Sequence, residues 1–320
     1  MSIIPTVDLS DSLNDAAHAI DRACRDVGFF QLVGHGVDPT IERDAWQLIG
    51  EFFALPLDSK LALAIPPGDA YGYGPYQAER LAASRGAVTP PDLKETFSVG
   101  PPVAPSVALV DPAAAFVYSP NRWPAELPAL EPTLVSYYEA LSELAERVMS
   151  LMATGLGLSA DYFAPFIDRH PSALRALRYP DLGDVRPEPG QLRAGAHSDY
   201  GTLTLLRQDD APGGLEVRGL DGSWHLVPPV PGAYVVNVGD ALERWTNDQW
   251  RSTVHRVVVP SAAAGRDCTR RSMAFFHNAN WDAVIECLPT CLAPGDTAKY
   301  APVTAGDHLR SKFRSTQRYE

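Results

Sequence analysis

The chain carries only four cysteines, Cys24, Cys268, Cys287 and Cys291, with no C-x-x-C pair among them. So sparse a set excludes a disulfide framework, and Cys287 with Cys291 lacks the two further ligands of a structural zinc; the thiols read as reduced. No uncharged apolar run approaches the ~18 residues that a membrane span requires. The N-terminal stretch "MSIIPTVDLSDSLNDAAHAI" has neither the basic start nor the apolar centre of a signal peptide. Positive charge is scarce: 27 Lys and Arg stand against 39 Asp and Glu, a net charge of −12. Phosphate binding needs clustered cations, so a nucleic-acid surface is not expected. Internal repeats and low-complexity tracts are absent as well. These absences lead to the expectation of a cytoplasmic protein whose partner is a small molecule.

Proline is plentiful, 29 residues in all, and punctuates a readable pattern. Residues 12–27 place Leu13, Ala16, Ala17, Ile20, Ala23, Cys24 and Val27 at helical spacing. "GFFQLVGHGV" (28–37) reads as a buried strand between glycines, and 40–54 as a second helix. Between 64 and 125 Pro and Gly recur, with "YGYGP" and "GPPVAPS" (100–106), a texture of binding loops or lids. The longest apolar stripe, 129–154, predicts a helix ending at Gly155 and Gly157. From 173 onward short runs rich in Val, Leu and Tyr follow one another, predicting an all-β sandwich or barrel. The expected organisation is an N-terminal mixed helix and strand region, 1–125, packed with a catalytic core, 126–320, as one compact unit.

Within "RAGAHSDYGTLTLL", His197 and Asp199 lie two apart, which on a regular strand puts both on one side. Far along the chain "RSTVHRVVVP" offers His255 at the start of another strand. Two imidazoles and a carboxylate on one face of a metal form the facial triad of non-haem iron(II) oxygenases, which leaves positions open for a cosubstrate and dioxygen. The same pair alone would be an ordinary polar strand end; His255 turns it into a metal hypothesis. In "RRSMAFF", Arg270 and Ser272 share a face at strand period. A guanidinium and a neighbouring hydroxyl suit a carboxylate, against the plainer reading of a strand ion pair. His18, His35, His170, His225, His277 and His308 have no matching partners and read as structural or solvated.

"GFFQLVGHGV", "GAHSDYGTLTLL", "GGLEV", the long run from Trp224 to Val257, and "RRSMAFF" resemble the isopenicillin N synthase-like iron(II)/2-oxoglutarate-dependent dioxygenases. "LKETFSVG" and "KYAPVTAGDHLRSKF" fit the same family, so the resemblance covers nearly the whole chain. It implies a double-stranded β-helix (jelly roll) core. It also implies iron(II) on His197, Asp199 and His255, and 2-oxoglutarate as cosubstrate with dioxygen. Arg270 and Ser272 would then hold the distal carboxylate of 2-oxoglutarate, Tyr179 would add a hydroxyl, and Phe276 would line the substrate pocket. The implied reaction hydroxylates, desaturates or cyclises a small organic molecule and yields succinate and carbon dioxide. Plant-type members carry Asn two residues before the tyrosine; here Leu177 stands there, so the keto-acid end must be held by other means. Two alternatives share the fold: an iron(II) oxidase that uses no 2-oxoglutarate, and a non-catalytic ligand-binding or sensor protein.

Overall fold

The computed structural model describes residues 3–104, 111–183, 186–260 and 267–316; the end of "GPPVAPS", from residue 105, lies outside them. Two sheets dominate. The larger runs in the spatial order β1 (Thr6–Asp8), β2 (Phe29–Val33), β10 (Tyr234–Val238), β7 (Leu203–Gln208), β12 (Arg270–His277), β5 (Ala173–Tyr179), β4 (Glu95–Val99), β3 (Gly72–Gly74). The smaller runs β6 (Ala194–His197), β11 (His255–Val257), β8 (Leu215–Arg218), β9 (Trp224–Leu226). Neighbours in both pair antiparallel, except β1 with β2. A two-stranded ribbon, β13 (Val284–Ile285) with β14 (Val303–Thr304), stands apart.

The helices α1 (Leu13–Asp26), α2 (Pro39–Ala54) and α4 (Leu130–Gly155) match the periodic segments closely, since each buries one apolar face. Ser12 and Asp38 cap the first two by accepting backbone N–H bonds. Shorter helices are α3 (Leu57–Leu61), α5 (Ala164–Ile167) and α6 (Asp240–Trp245), and the chain closes on α7 (Ala305–Thr316). Among the described residues no helix is long and apolar enough to cross a membrane.

Alternation along β12 divides the molecule's interior in two. Met273 and Phe275 face the helical layer, in one cluster with Leu203, Leu205 and the α4 residues Tyr138, Leu141 and Ala145. Ala274 and Phe276 face the other way, with Leu177, Tyr179 and Leu206, toward Ala194 and Val257 of the smaller sheet. The large core therefore lies under the helices, and the space between the sheets holds smaller apolar clusters beside polar side chains. Phe275 is fully buried on the helical side. Phe275→Ala is expected to destabilise the protein by about 3–5 kcal/mol in chemical denaturation, with no change in the chemistry of the inter-sheet face.

The segment 64–125 is more ordered than its Pro and Gly content suggests. It supplies β3, β4 and a 3-10 turn, Leu81–Arg85. Tyr71 and Tyr73 of "YGYGPY" are buried, Tyr71 donating to the Val117 carbonyl and Tyr73 to Glu95. Glu95 also takes Lys60 and Arg178, so Arg178 meets a carboxylate of its own chain on the helical side of the sheet.

Candidate active site

His197 and His255 are directly opposed across the β6–β11 pair, in antiparallel register. Their rings lie 4.3 Å apart, centroid to centroid. Asp199 Oδ1 is 3.8 Å from His197 Nε2 and 3.7 Å from His255 Nε2, and one ligand atom from each residue falls within 4.8 Å of the others. Strand β6 ends at His197, so Asp199 is not brought to its place by strand alternation as the sequence pattern predicts. A tight turn carries it. That turn is held from behind by the start of α6, where Gly239 N–H donates to Thr202, Asp240 N–H to Asp199 and Ala241 N–H to Gly201. A Cβ on Gly239 would stand 2.2 Å from the Gly201 carbonyl oxygen, which is why glycine precedes Asp240 there.

The donor set fits a divalent cation. Nδ1 of His197 donates to the Gly195 carbonyl at 2.7 Å, and Nδ1 of His255 to the Thr253 carbonyl at 3.1 Å. A carbonyl can only accept, so each Nε2 keeps a lone pair turned toward Asp199. Oδ2 of Asp199 accepts from Thr204 Oγ1 at 2.6 Å and Asn237 Nδ2 at 2.8 Å, which leaves Oδ1 facing the imidazoles. Burial pushes His197 well below its ordinary value, and the adjacent His255 adds to this, so the ring is neutral at physiological pH. Burial opposes ionisation of Asp199. The facing imidazoles and the bonds from Thr204 and Asn237 outweigh it and hold the carboxyl below the usual range. Thr204 and Asn237, paired across β7 and β10, belong to this arrangement, and no short motif around His197 announces them.

Arg270 and Ser272 share the inter-sheet face as expected, and both are buried. Arg270 Nη2 donates to Gln208 Oε1 at 2.7 Å, while Nη1 lies 3.5 Å from Ser272 Oγ. No carboxylate pairs with Arg270 among the described residues, although the group is only 1% exposed. Gln208, opposite Ser272 in register, leaves its own Nε2 buried without a hydrogen-bond partner. Tyr179 is opposite Arg270 across β5–β12, and its ring lies 5.1 Å from the guanidinium carbon. A second buried guanidinium, Arg193, has its carbon 6.0 Å from the centre of that ring. Its terminal nitrogens are spent on the carbonyls of Pro212, Gly213 and Cys268. Leu177 is opposite Ser272 and contributes only apolar surface. Phe276 is half-buried against the same inter-sheet cluster.

The remaining histidines lie outside the three-residue cluster; His308 donates to the Tyr200 carbonyl, one residue beyond Asp199. His35 donates to the Gly232 carbonyl and stacks edge-on to Tyr234. His277 is bound to Thr202 Oγ1, and His170 lies 4.8 Å from it, ring to ring. Burial pushes His170 down to about 4 from the ordinary 6.5. The unfolded chain then binds more protons than the folded one between those values, so stability must fall as pH is lowered through about 6.5 toward 4. Replacing His170 with Phe is expected to flatten that slope in pH-dependent chemical denaturation; an unchanged slope would assign the acid sensitivity to other groups.

Two family models match the chain. Residues 4–126 match the non-haem dioxygenase in morphine synthesis N-terminal family, and residues 171–279 match the 2OG-Fe(II) oxygenase superfamily. A homoarginine-6-hydroxylase from Oryza sativa subsp. japonica is 34% identical over 311 residues, covering 96% of this chain and 91% of that protein. The validamycin A dioxygenase of Streptomyces hygroscopicus subsp. limoneus is 33% identical over 317 residues, covering 97% and 85%. Among solved structures, a full-length Neurospora crassa protein in complex with alpha-KG and thymine superposes with a TM-score of 0.83 at 32% identity, covering 98% of this chain and 96% of that one. Sequence models over both halves, relatives along the full length, and a sheet topology that brings two histidines and an aspartate together all lead to one family: this chain belongs to the 2-oxoglutarate- and iron(II)-dependent oxygenases and shares their jelly-roll fold.

Proposed function

We propose that His197, Asp199 and His255 hold the iron(II), that Arg270, Ser272 and Gln208 take the distal carboxylate of 2-oxoglutarate, and that Phe276 borders the substrate. The single observation behind the carboxylate assignment is a buried guanidinium with no anionic partner among the described residues. An uncompensated buried charge is costly, and a carboxylate accepting from Arg270, the Ser272 hydroxyl and the free Gln208 amide relieves all three groups together. Tyr179 braces the guanidinium through its ring. Thr204, which holds Asp199, and Gln208, which holds Arg270, are four residues apart on the same face of β7. At 3.3 Å per residue that separation is on the order of 13 Å along the strand.

When bound, iron(II) with 2-oxoglutarate supplies dioxygen activation coupled to decarboxylation to succinate and carbon dioxide. The chain's own contribution is geometric. The two carbonyl-bound imidazoles keep their Nε2 lone pairs directed inward, and Asp199 remains ionised on one side of them. The apolar cluster that includes Leu177, Ala274, Phe276 and Leu206 lends the inter-sheet space a low-dielectric wall. The substrate in this reading is a small organic molecule, hydroxylated by default, with desaturation and cyclisation as variants of the same chemistry.

The test is a succinate-release screen against candidate small molecules under air, with mass spectrometry of the products. Expected is substrate-dependent succinate together with a product heavier by one oxygen or lighter by two hydrogens. Oxygen consumption with substrate but no succinate would replace this reading with the 2-oxoglutarate-independent oxidase. Iron binding together with substrate binding and no turnover of any compound would replace it with the sensor.

A further inference from the structure

Between the metal strand and the 77–94 segment lies a buried charge cluster that the chemistry above does not use. Asp92 and Lys94 are each 2% exposed. Asp92 Oδ1 accepts the Gly195 N–H at 2.9 Å, and its Oδ2 accepts the Leu81 N–H at 3.1 Å. Lys94 Nζ stands 3.3 Å from the same Oδ2 and 3.1 Å from Glu79 Oε2, and Glu79 in turn pairs with Arg175. One carboxylate thus ties three segments together, accepting N–H bonds from the 3-10 turn and the metal strand and forming an ion pair with Lys94 at the base of β4. Gly195 leads directly to the metal site, because its carbonyl accepts Nδ1–H of His197 at 2.7 Å.

The fit at Gly195 is close. A Cβ there would meet the Ala82 backbone nitrogen at 2.9 Å, so the turn Leu81–Arg85 rests on the metal strand with no side chain between them. The same turn also packs against α7. The contacts therefore run in series from α7 to the turn, from the turn through Asp92 to Gly195, and from Gly195 to the ring of His197.

Resting on the assignment of His197 as an iron ligand, we propose that Asp92 is a positioning residue: it clasps the 77–94 segment to the metal strand and, through both polar groups of Gly195, sets the orientation of the His197 imidazole. The physical reason is that the strand beyond Gly195 runs on only to His197, where β6 ends, so the carbonyl that orients the ring needs an anchor outside the ladder. A buried carboxylate is a stiff one, since letting go would leave Asp92 Oδ1 and the Gly195 N–H buried without each other. Asp92 touches neither substrate nor metal. It acts through His197.

The test uses the full-length protein and the variants Asp92→Asn and Glu79→Gln. The first retains side-chain volume while weakening the clasp; the second removes one charge from the same cluster without touching Gly195. Metal-free protein is titrated anaerobically with iron(II) in competition with a chromophoric chelator. The cobalt(II)-loaded protein is then examined by proton NMR, in which the exchangeable Nδ1–H protons of two ligand histidines appear far outside the ordinary range. Expected for Asp92→Asn is about tenfold weaker iron binding, the size usual for loss of an outer partner of a ligating histidine, and displacement of one of the two signals while the His255 signal stays. Glu79→Gln should leave affinity within about twofold and both signals in place. Asp92→Asn with unchanged affinity and both signals unmoved overturns the proposal. So does a loss of thermal stability in the metal-free variant with the affinity of the folded fraction preserved, which marks a purely structural role. If the wild-type protein itself gives no pair of shifted signals, the metal assignment fails first and this inference with it.

Discussion

Asp199→Ala is expected to weaken iron(II) binding by at least about 100-fold and to abolish succinate formation, while the metal-free protein keeps its fold. The reasoning starts from the donor count. Asp199 supplies the only anionic oxygen of the three converging ligands; the other two are imidazoles. Loss of an outer partner alone costs 10–100-fold in affinity, and loss of the ligand itself must cost more. The fold survives because Asp199 lies on a turn held by the backbone bonds from Gly239, Asp240 and Ala241, which the substitution leaves in place. Thr204 and Asn237 lose an acceptor, a penalty of about 1–3 kcal/mol that belongs to stability and not to iron. Anaerobic titration separates the two effects. Iron affinity within tenfold of wild type would remove Asp199 from the ligand set.

The second large effect falls on the cosubstrate. Arg270→Leu should raise KM for 2-oxoglutarate by about 30–150-fold and leave kcat at saturating cosubstrate within about tenfold. A charge-assisted bond to a carboxylate contributes about 1.5–3 kcal/mol, and each 1.36 kcal/mol is a decade in binding. The site is dry enough for the upper part of that range, because Arg270 and Ser272 are almost wholly buried. Arg270→Lys should recover only part of the loss. A lysine places one charge on a flexible stem and cannot keep the Gln208 bond while presenting a planar fork to the carboxylate. The visible absorption band of the iron–2-oxoglutarate complex gives the affinity directly. An unchanged KM in Arg270→Leu would move the carboxylate elsewhere. Arg193 is no ready substitute, since its terminal nitrogens already serve three backbone carbonyls.

Several features of this protein follow from the order of residues alone. Helical periodicity specifies α1, α2 and α4, because an amphipathic face is a local pattern. Strand period places Arg270 with Ser272 on one face, because alternation over three residues needs no knowledge of the rest of the chain. The quoted family stretches contain the three residues that the fold brings into one cluster. Other features were decided only when the chain closed on itself. Asp199 comes off a turn beyond the end of β6, and its working geometry depends on Thr204 and Asn237 from two strands of the opposite sheet. β3 and β4 hide in a Pro- and Gly-rich segment because their stability comes from pairing at the sheet edge and not from their own composition. Gln208 acquires its place beside Arg270 through the register of β7 on β12, and Asp92 reaches Gly195 from a distant segment. Periodicity and spacing are local quantities that a sequence carries openly. Which buried donor meets which buried acceptor is settled by register and by the requirement that each buried polar group find a partner, and that requirement is met only in three dimensions.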